Sequence, residues 1–370
     1  MTERRLALHA ICPYFAMFPE SFVREQVEAY SRRGDWVFDP FCGRGTTVLE
    51  SLLAGRHAAG SDVNPVAYCV SRAKVERPTL NGVKLRIERL HEAYERAPQE
   101  RLERDRSDLP PFFRRAFYPT TLCELVFLRS SLNWRGERTD RFIAALVIGS
   151  LHGEMDRSSA YFSNQMPRTI CLKPDYSVRY WRDNGLFPRK RKVFDMLIQK
   201  AEHRLDNLPK CPSGKVRMAD ARHVSGRFKE LRRKVALVVT SPPYLNVTRY
   251  EEDQWLRLWF LGGEPRPTYG HVSKDDRHEG TKGYWQFLKE SWSGLAPLLA
   301  ARAKIVVRLG AIGLDDSEMT HGLTASMKAV FSNLRTIRRP TRSEIVGRQS
   351  RNFLPKSRGC LFEMDYAFSA

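Results

Sequence analysis

Residues 235–239 read VALVV, a continuous apolar run that leads straight into Thr240, Ser241, Pro242, Pro243 and Tyr244. A β-branched run of this length suits a strand buried on both faces, which is the condition of a strand inside a parallel sheet wrapped by helices. The segment is therefore expected at the centre of a sheet. Further short β-branched or apolar runs at 36–38, 58–62, 215–219, 304–309, 334–339 and 361–368 alternate with helical patterns and, with 236–240, give seven candidate strands. The expected class is α/β, a seven-stranded Rossmann-like sheet with helices on both faces.

Between residues 67 and 215 this rhythm gives way to a long, Arg-rich, mostly helical stretch, from ERLHEAYERAPQERLERDR through FIAALVIGSLHGEM to KVFDMLIQKAEHRL. It reads as an insertion into the sheet domain. The expected organisation is a first part of the sheet domain at 1–72, a helical insertion at 73–210 and the rest of the sheet domain at 211–370. The middle of the insertion, AYFSNQMPRTICLKPDYSVRYWRDNGLFPRKRK, mixes proline, glycine, aromatic and basic residues without a period, as irregular structure covering a surface does. No internal repeat is visible.

Lys plus Arg number 62 against 42 Asp plus Glu, a formal net charge of +20, so the chain is expected to associate with a polyanion, and nucleic acid is the natural candidate. Seven scattered cysteines, with neither a CxxC nor a Cys/His spacing, indicate no disulfide framework and no zinc site. His9, His57, His152 and the other histidines lack metal-ligand spacing, so no metal is expected. MTERRLALHA has no signal-peptide core, and no run approaches the roughly 18 apolar residues of a membrane span. These features predict a cytoplasmic protein with no membrane partner.

The segment 37–50, VFDPFCGRGTTVLE, is a strand running into a glycine turn and then a helix, an arrangement that lets backbone approach a nucleotide-like ligand. Glycines punctuate any turn, so a Gly-x-Gly alone carries little. Its pairing with GSDVNP gives it force, because Asp62 falls about 20 residues beyond the turn at a strand end, where a carboxylate accepts the hydrogen bonds of a ribose diol. A Walker loop needs a lysine that DPFCGRGTT lacks, and Asp39 stands where a pyrophosphate requires amide donors. That favours a cationic sulfonium cofactor with an amino-acid tail.

DPFCGRGTT and TSPPY (240–244) resemble the first motif and the catalytic motif of the amino-DNA methyltransferases. PYFAMFPE (13–20) is similar to the segment that precedes the first motif, and MADAR (218–222) to the strand end beside the cofactor adenine. The resemblance implies a Rossmann-like S-adenosylmethionine-dependent methyltransferase fold with S-adenosyl-L-methionine as cofactor. It places Asp39 near the methionine amino group, Gly43, Gly45 and Thr46 in the cofactor loop, Asp62 and Asn64 at the ribose, Asp220 at the adenine amine, and Phe18 and Phe41 as apolar walls. For Phe18, packing in the core is an equal alternative.

An exocyclic base amine is a poor nucleophile because its lone pair is delocalised into the ring. Hydrogen-bond acceptors that fix its geometry free that pair. Ser241-Pro242-Pro243-Tyr244 at a strand end can offer the serine hydroxyl and a backbone carbonyl, with the proline φ angles setting the loop and Tyr244 stacking on an extruded base. A plain proline turn is the alternative, weakened by the position of the loop after the central strand. Trp255, Leu258, Trp259 and Phe260 recur at helical spacing and read as core.

DNA is the expected partner. RRPTRSEIVGRQSRNFLPKSR, 338–358, holds seven basic residues and only Glu344 acidic, and as a hairpin tip it offers Arg348, Arg351 and Arg358 to phosphates. A solvated tip remains open there, as does a solvated helix start for RKRK at 189–192. In the insertion, Asn164, Gln165, Arg168, Tyr176, Arg179 and Trp181 suit base-edge reading or stacking. The expected function is site-specific methylation of cytosine N4 in DNA, with cognate restriction or defence-system proteins as possible partners. Adenine N6, an RNA base, or a catalytically silent nucleic-acid-binding subunit are the alternatives.

Overall fold

Val235, Leu237, Val238 and Val239 are all 0% exposed, as a strand covered on both faces requires. The computed structural model describes residues 6–14, 19–153, 160–163, 173–245, 250–268, 280–345 and 360–370. Its strands are β1 (Trp36–Asp39), β2 (His57–Asp62), β3 (Lys215–Met218), β4 (Val235–Thr240), β5 (Leu299–Leu309), β6 (Arg335–Glu344) and β7 (Phe362–Ser369). They form one seven-stranded sheet in the order β3-β2-β1-β4-β5-β7-β6. Strands β1 to β5 pair in parallel, while β7 runs antiparallel to both β5 and β6. This is a Rossmann-like α/β sheet closed by the expected hairpin.

Two strands run further than their apolar cores suggest. β5 begins at Leu299 because a register shift against β4, with Arg302 at φ 60°, absorbs extra residues ahead of the apolar run. β6 extends to Glu344 through Pro340, which an edge strand tolerates because its outer amides need no partner; the ladder skips there between Arg338 and Thr341.

The chain divides into a sheet unit, Tyr14–Val75, Pro209–Arg249 and Val272–Ala370, and a helical unit, Met1–Pro13, Glu76–Leu208 and Tyr250–His271. In the sheet unit, strand alternation sorts the side chains onto two faces. Val37, Leu237, Val239 and Val306 meet Val23 and Val27 of the helix Glu20–Tyr30 on one side. Phe38, Val238, Ile305 and Val307 meet Tyr284, Leu288 and Trp292 of Gly280–Leu295 on the other. The strand order reverses between β1 and β4, and the crevice outside the carboxyl ends of such neighbours is where open α/β sheets bind ligands.

The helical unit has its own aromatic core. Phe113 lies 4.5 Å from Trp259 and 5.9 Å from Trp255 between ring centroids, and Phe112 lies 5.3 Å from Trp181. Trp255, Trp259 and Phe260 are buried, in keeping with their helical spacing. Trp181 is 0% exposed, so it packs as core and presents nothing to a base. A bidentate pair from Arg86 to Asp140 (2.7 and 3.0 Å) and an Arg141–Glu76 pair (2.9 Å) bind helices across this unit. His152 is buried, and burial, with a smaller push from Arg257, lowers its pKa to about 4, so its imidazole is neutral. Among the described residues no cluster of His, Cys, Asp and Glu is arranged to hold a metal.

Truncating the central strand at Leu237→Ala is expected to cost about 2–5 kcal/mol, because both covering layers prevent collapse around the missing side chain. Urea unfolding followed by circular dichroism checks this; an unchanged midpoint would show that β4 is not the packed centre.

Candidate active site

The ends of β1 and β4 are tied side chain to side chain. Thr240 Oγ1, 0% exposed, donates to Asp39 Oδ1 at 2.7 Å, and the Phe41 amide donates to the same oxygen at 3.1 Å. Thr47, the second residue of the helix Thr46–Leu53, donates to the Val239 carbonyl at 3.1 Å. Asp39 is itself buried, and desolvation pushes its pKa up to about 7, against the lowering pull of Thr240, Thr47 and the Phe41 amide. The turn that follows β1 is thus locked onto the strand that carries Ser241.

In that turn Gly45 sits at φ 77°, and a Cβ there would come within 2.7 Å of Ser71 Cβ and 2.9 Å of its Cα, so only glycine lets the helix Pro65–Val75 approach this closely. The Gly43 amide donates to Asp62 Oδ2 at 2.9 Å, and the Asn64 amide to Oδ1 at 2.9 Å. Each carboxylate oxygen of Asp62 accepts an amide hydrogen bond here. Asn64 uses its side-chain oxygen to accept from the Val66 amide at 2.8 Å, starting the helix Pro65–Val75. Thr46 accepts from Arg44 Nε at 3.2 Å. Arg44 is buried, ion-paired to Glu20 at 2.7 Å, and its carbonyl accepts from the fully buried Lys74 at 2.7 Å.

Asp220 follows β3 and caps the short turn Ala221–His223, accepting from the Arg222 amide at 2.9 Å and from the Arg222 guanidinium at 2.9 Å. Those bonds and the neighbouring charge hold its carboxyl below the ordinary value, although burial raises it. Phe41 leans on Phe287 at 5.8 Å, on the apolar side of the site. Phe18 lies outside the described residues.

Past β4 the chain is held at every residue from Pro243 to Leu245. Tyr284 donates its hydroxyl to the Pro243 carbonyl at 3.0 Å, and Leu245 forms a parallel bridge with Ala311. Pro242 is buried. The Tyr244 ring is 4% exposed and lies against Gly310, where a Cβ would approach the ring to 2.8 Å. Its hydroxyl donates to Glu363 Oε1 at 2.7 Å and receives the Ser241 hydroxyl at 3.3 Å. Stacking on a base is the expected role for Tyr244, whereas here its ring is buried and its hydroxyl is bonded to both Ser241 and Glu363.

Residues 3–71 match the family model described as DNA methylase. The type II methyltransferase M.MjaII of Methanocaldococcus jannaschii is 28% identical over 82 residues, 22% of this chain and 16% of that protein. The orphan methyltransferase M.BamHII of Bacillus amyloliquefaciens is 39% identical over 54 residues, 15% of this chain and 20% of that protein. Residues 3–71 are thus similar to the DNA methylases of this family model, and the likeness is confined to that part of the chain. The match spans at most a fifth of either relative's length. The solved structure of TrmN from Thermus thermophilus aligns over 100% of this chain and 54% of that one, at 11% identity and a TM-score of 0.39, a likeness that says nothing of substrate.

The residues here fit S-adenosyl-L-methionine: a glycine turn that a side chain would obstruct, a strand-end carboxylate held by amides, and a buried carboxyl at the end of β1. The sequence motifs named Asp39, Gly43, Gly45 and Asp62 but gave no sign of Thr240 as the partner of Asp39, since the bond spans 201 residues. Arg308 and Asp365 were missed as well, although a charge inside VVRL and another inside EMDYAF break otherwise apolar strand patterns. Asn164, Gln165, Arg168, Arg348, Arg351 and Arg358 lie outside the described residues.

Two tests address the cofactor end. A cofactor ammonium pairs with Asp39 only when the carboxyl is ionised, so affinity is expected to rise from about pH 6 to about pH 7.5 and to lose that rise in Asp39→Asn. Calorimetry across that range measures it, and a wild-type affinity that ignores pH removes Asp39 from the ammonium site. Asp62→Ala is expected to weaken binding by about 1.5–3 kcal/mol through loss of charge-assisted acceptors; unchanged affinity in the folded variant removes Asp62 from the ribose.

Proposed function

We propose that this chain transfers the methyl group of S-adenosylmethionine to an exocyclic amine of a base in DNA, with cytosine N4 as the target. The observation that carries the reading is the Asp39–Thr240 bond, which sets the cofactor turn and the Ser241 loop at one sheet edge, as a direct transfer between two bound groups demands. The cofactor supplies a methyl group on a positively charged sulfur. Ser241 hands its own proton to Tyr244, so its lone pairs are directed to an amine N–H and help localise the nitrogen lone pair. The anchored prolines hold that oxygen in place, so little reorganisation accompanies the transfer.

The cytosine reading rests on Ser241 itself, a neutral hydroxyl whose lone pairs accept from the amine N–H while its hydrogen is held by Tyr244. DNA as partner is supported by the charge of +20 and by a basic, aromatic surface on the helical unit. Arg179, Arg182, Arg189, Lys190 and Lys192 are exposed there, together with Tyr176 and Phe187, and Tyr176 stacks on Tyr180 at 6.2 Å. The type II and orphan methyltransferases the chain resembles support a restriction-modification or related setting, with cognate proteins as partners and a cytoplasmic location as part of the same reading. No described helix is long and apolar enough to cross a membrane.

Nucleoside mass spectrometry on DNA incubated with the protein and labelled cofactor is expected to find N4-methylcytosine. Label in N6-methyladenine alone would reassign the base, and no labelled nucleoside at all would reject the activity. Replacing Arg189, Lys190 and Lys192 together by Ala is expected to weaken binding to every DNA sequence and to flatten the dependence of affinity on salt, because fewer counterions are released. Equal affinity at several salt concentrations would remove this surface from the interface.

A further inference from the structure

Behind Ser241 a chain of hydrogen bonds runs away from the reacting edge. Ser241 Oγ donates to the Tyr244 hydroxyl at 3.3 Å, and Tyr244 donates to Glu363 Oε1 at 2.7 Å. Every donor in this chain points the same way and the last group is a carboxylate. Glu363 stands near the start of β7, and Arg308 of β5 lies 3.5 Å from its other oxygen, Oε2. Arg308 is in turn gripped by Asp365 in a bidentate pair at 2.6 and 2.7 Å. The Glu363 side chain retains 17% exposure, so the buried end of the chain has an outlet to water.

We propose that Ser241, Tyr244 and Glu363 form a proton relay that takes up the proton released by the methylated amine, with Glu363 as its terminal acceptor. The inference rests on the methyltransferase reading given above. As the amine lone pair forms the new N–C bond, the S–C bond breaks with its electron pair going to sulfur, and nitrogen becomes positively charged. One N–H proton passes to Ser241 Oγ, the serine proton to the Tyr244 oxygen, and the tyrosine proton to the Glu363 carboxylate. Nitrogen ends neutral, each hydroxyl is restored, and Glu363 carries the proton until water removes it. No other co-reactant is needed.

The surroundings suit this task. Burial raises the carboxyl of Glu363 above its ordinary value, giving it more affinity for a proton, while Tyr244 and Arg308 limit the rise and Asp365 adds to it. Burial likewise lifts the Tyr244 hydroxyl well above its usual range, so the tyrosine passes a proton on in one concerted motion and does not persist as an anion. Tyr244, Arg308 and Asp365 are the charged and titratable groups that act on Glu363 among the described residues. On the adjacent β6, Arg342 is spent on Asp316 and Glu344. Gly310 leaves the room in which the ring of Tyr244 can lie between its two partners.

The test compares wild type with Glu363→Gln, which keeps an acceptor for Tyr244 but cannot take a proton, and with Tyr244→Phe, which keeps the ring and cuts the chain. Single-turnover methylation of DNA with labelled cofactor is expected to slow by about ten-fold or more in both at neutral pH. The wild-type rate should fall on the acid side as Glu363 becomes protonated, and that limb should be missing from both variants. Isotope-edited infrared titration of the protein alone, with labelled glutamate, should show a carboxylate band titrating above the ordinary glutamate range that disappears in Glu363→Gln. Wild type that labels DNA alongside variants with the same rate and the same acid limb would overturn the relay and leave the methyltransferase reading standing. A Glu363 band that titrates in the ordinary range would also overturn it. A wild type that labels no DNA would reject the methyltransferase reading and the relay with it.

Discussion

The bond between Thr240 and Asp39 is where sheet and site become one object. It joins the carboxyl ends of neighbouring parallel strands, one leading into the cofactor turn and the other into the Ser-Pro-Pro-Tyr loop. Both groups are buried, so water does not compete for the bond, and losing either partner would leave a polar group stranded in a dry environment. The cost of enclosing a carboxyl appears as the raised proton affinity of Asp39. A structural tie has therefore left a carboxyl with a pKa raised to about 7 beside the glycine turn proposed to hold the cofactor.

A second buried network braces the other side of the Ser-Pro-Pro-Tyr loop. Arg308 and Asp365 face each other across β5 and β7, which are antiparallel neighbours in register at these two residues. A buried charge pair of this kind is a poor source of net stability but a good source of definite geometry, because removing one member leaves the other unpaired. Through Glu363 and Tyr244 that geometry reaches Ser241. The antiparallel placement of β7 is what makes this possible, since it brings residues near the start of the last strand level with the end of β5 and beside the loop that leaves β4.

The alternation of apolar runs and helices in the chain was enough to locate all seven strands, and the glycine turn and Asp62, nineteen residues after Gly43, do meet through the Gly43 amide. These features are local: a strand inside a parallel sheet must be apolar on both faces, and a tight turn against the helix behind it must be glycine. Ser241, Pro242 and Pro243 were likewise named by their position after the most apolar strand. Reading failed where a side chain's neighbours come from distant parts of the chain. Trp181 looked like a stacking residue but packs against Phe112, and Tyr244 looked like a base platform but lies against Gly310.

The sequence by itself determined the kind of sheet, the glycine turn after the first strand and the side chains available at residues 239–244, because backbone sterics and the side-chain period act over a few residues and leave a pattern that can be read directly. Only the tertiary structure decided what each polar group does. Asp39 meets Thr240 across 201 positions, Tyr244 meets Glu363 across 119, and Arg308 meets Asp365 across 57. Those pairings follow from strand order and register, which are set by how the whole sheet buries its two faces, and no local pattern encodes them.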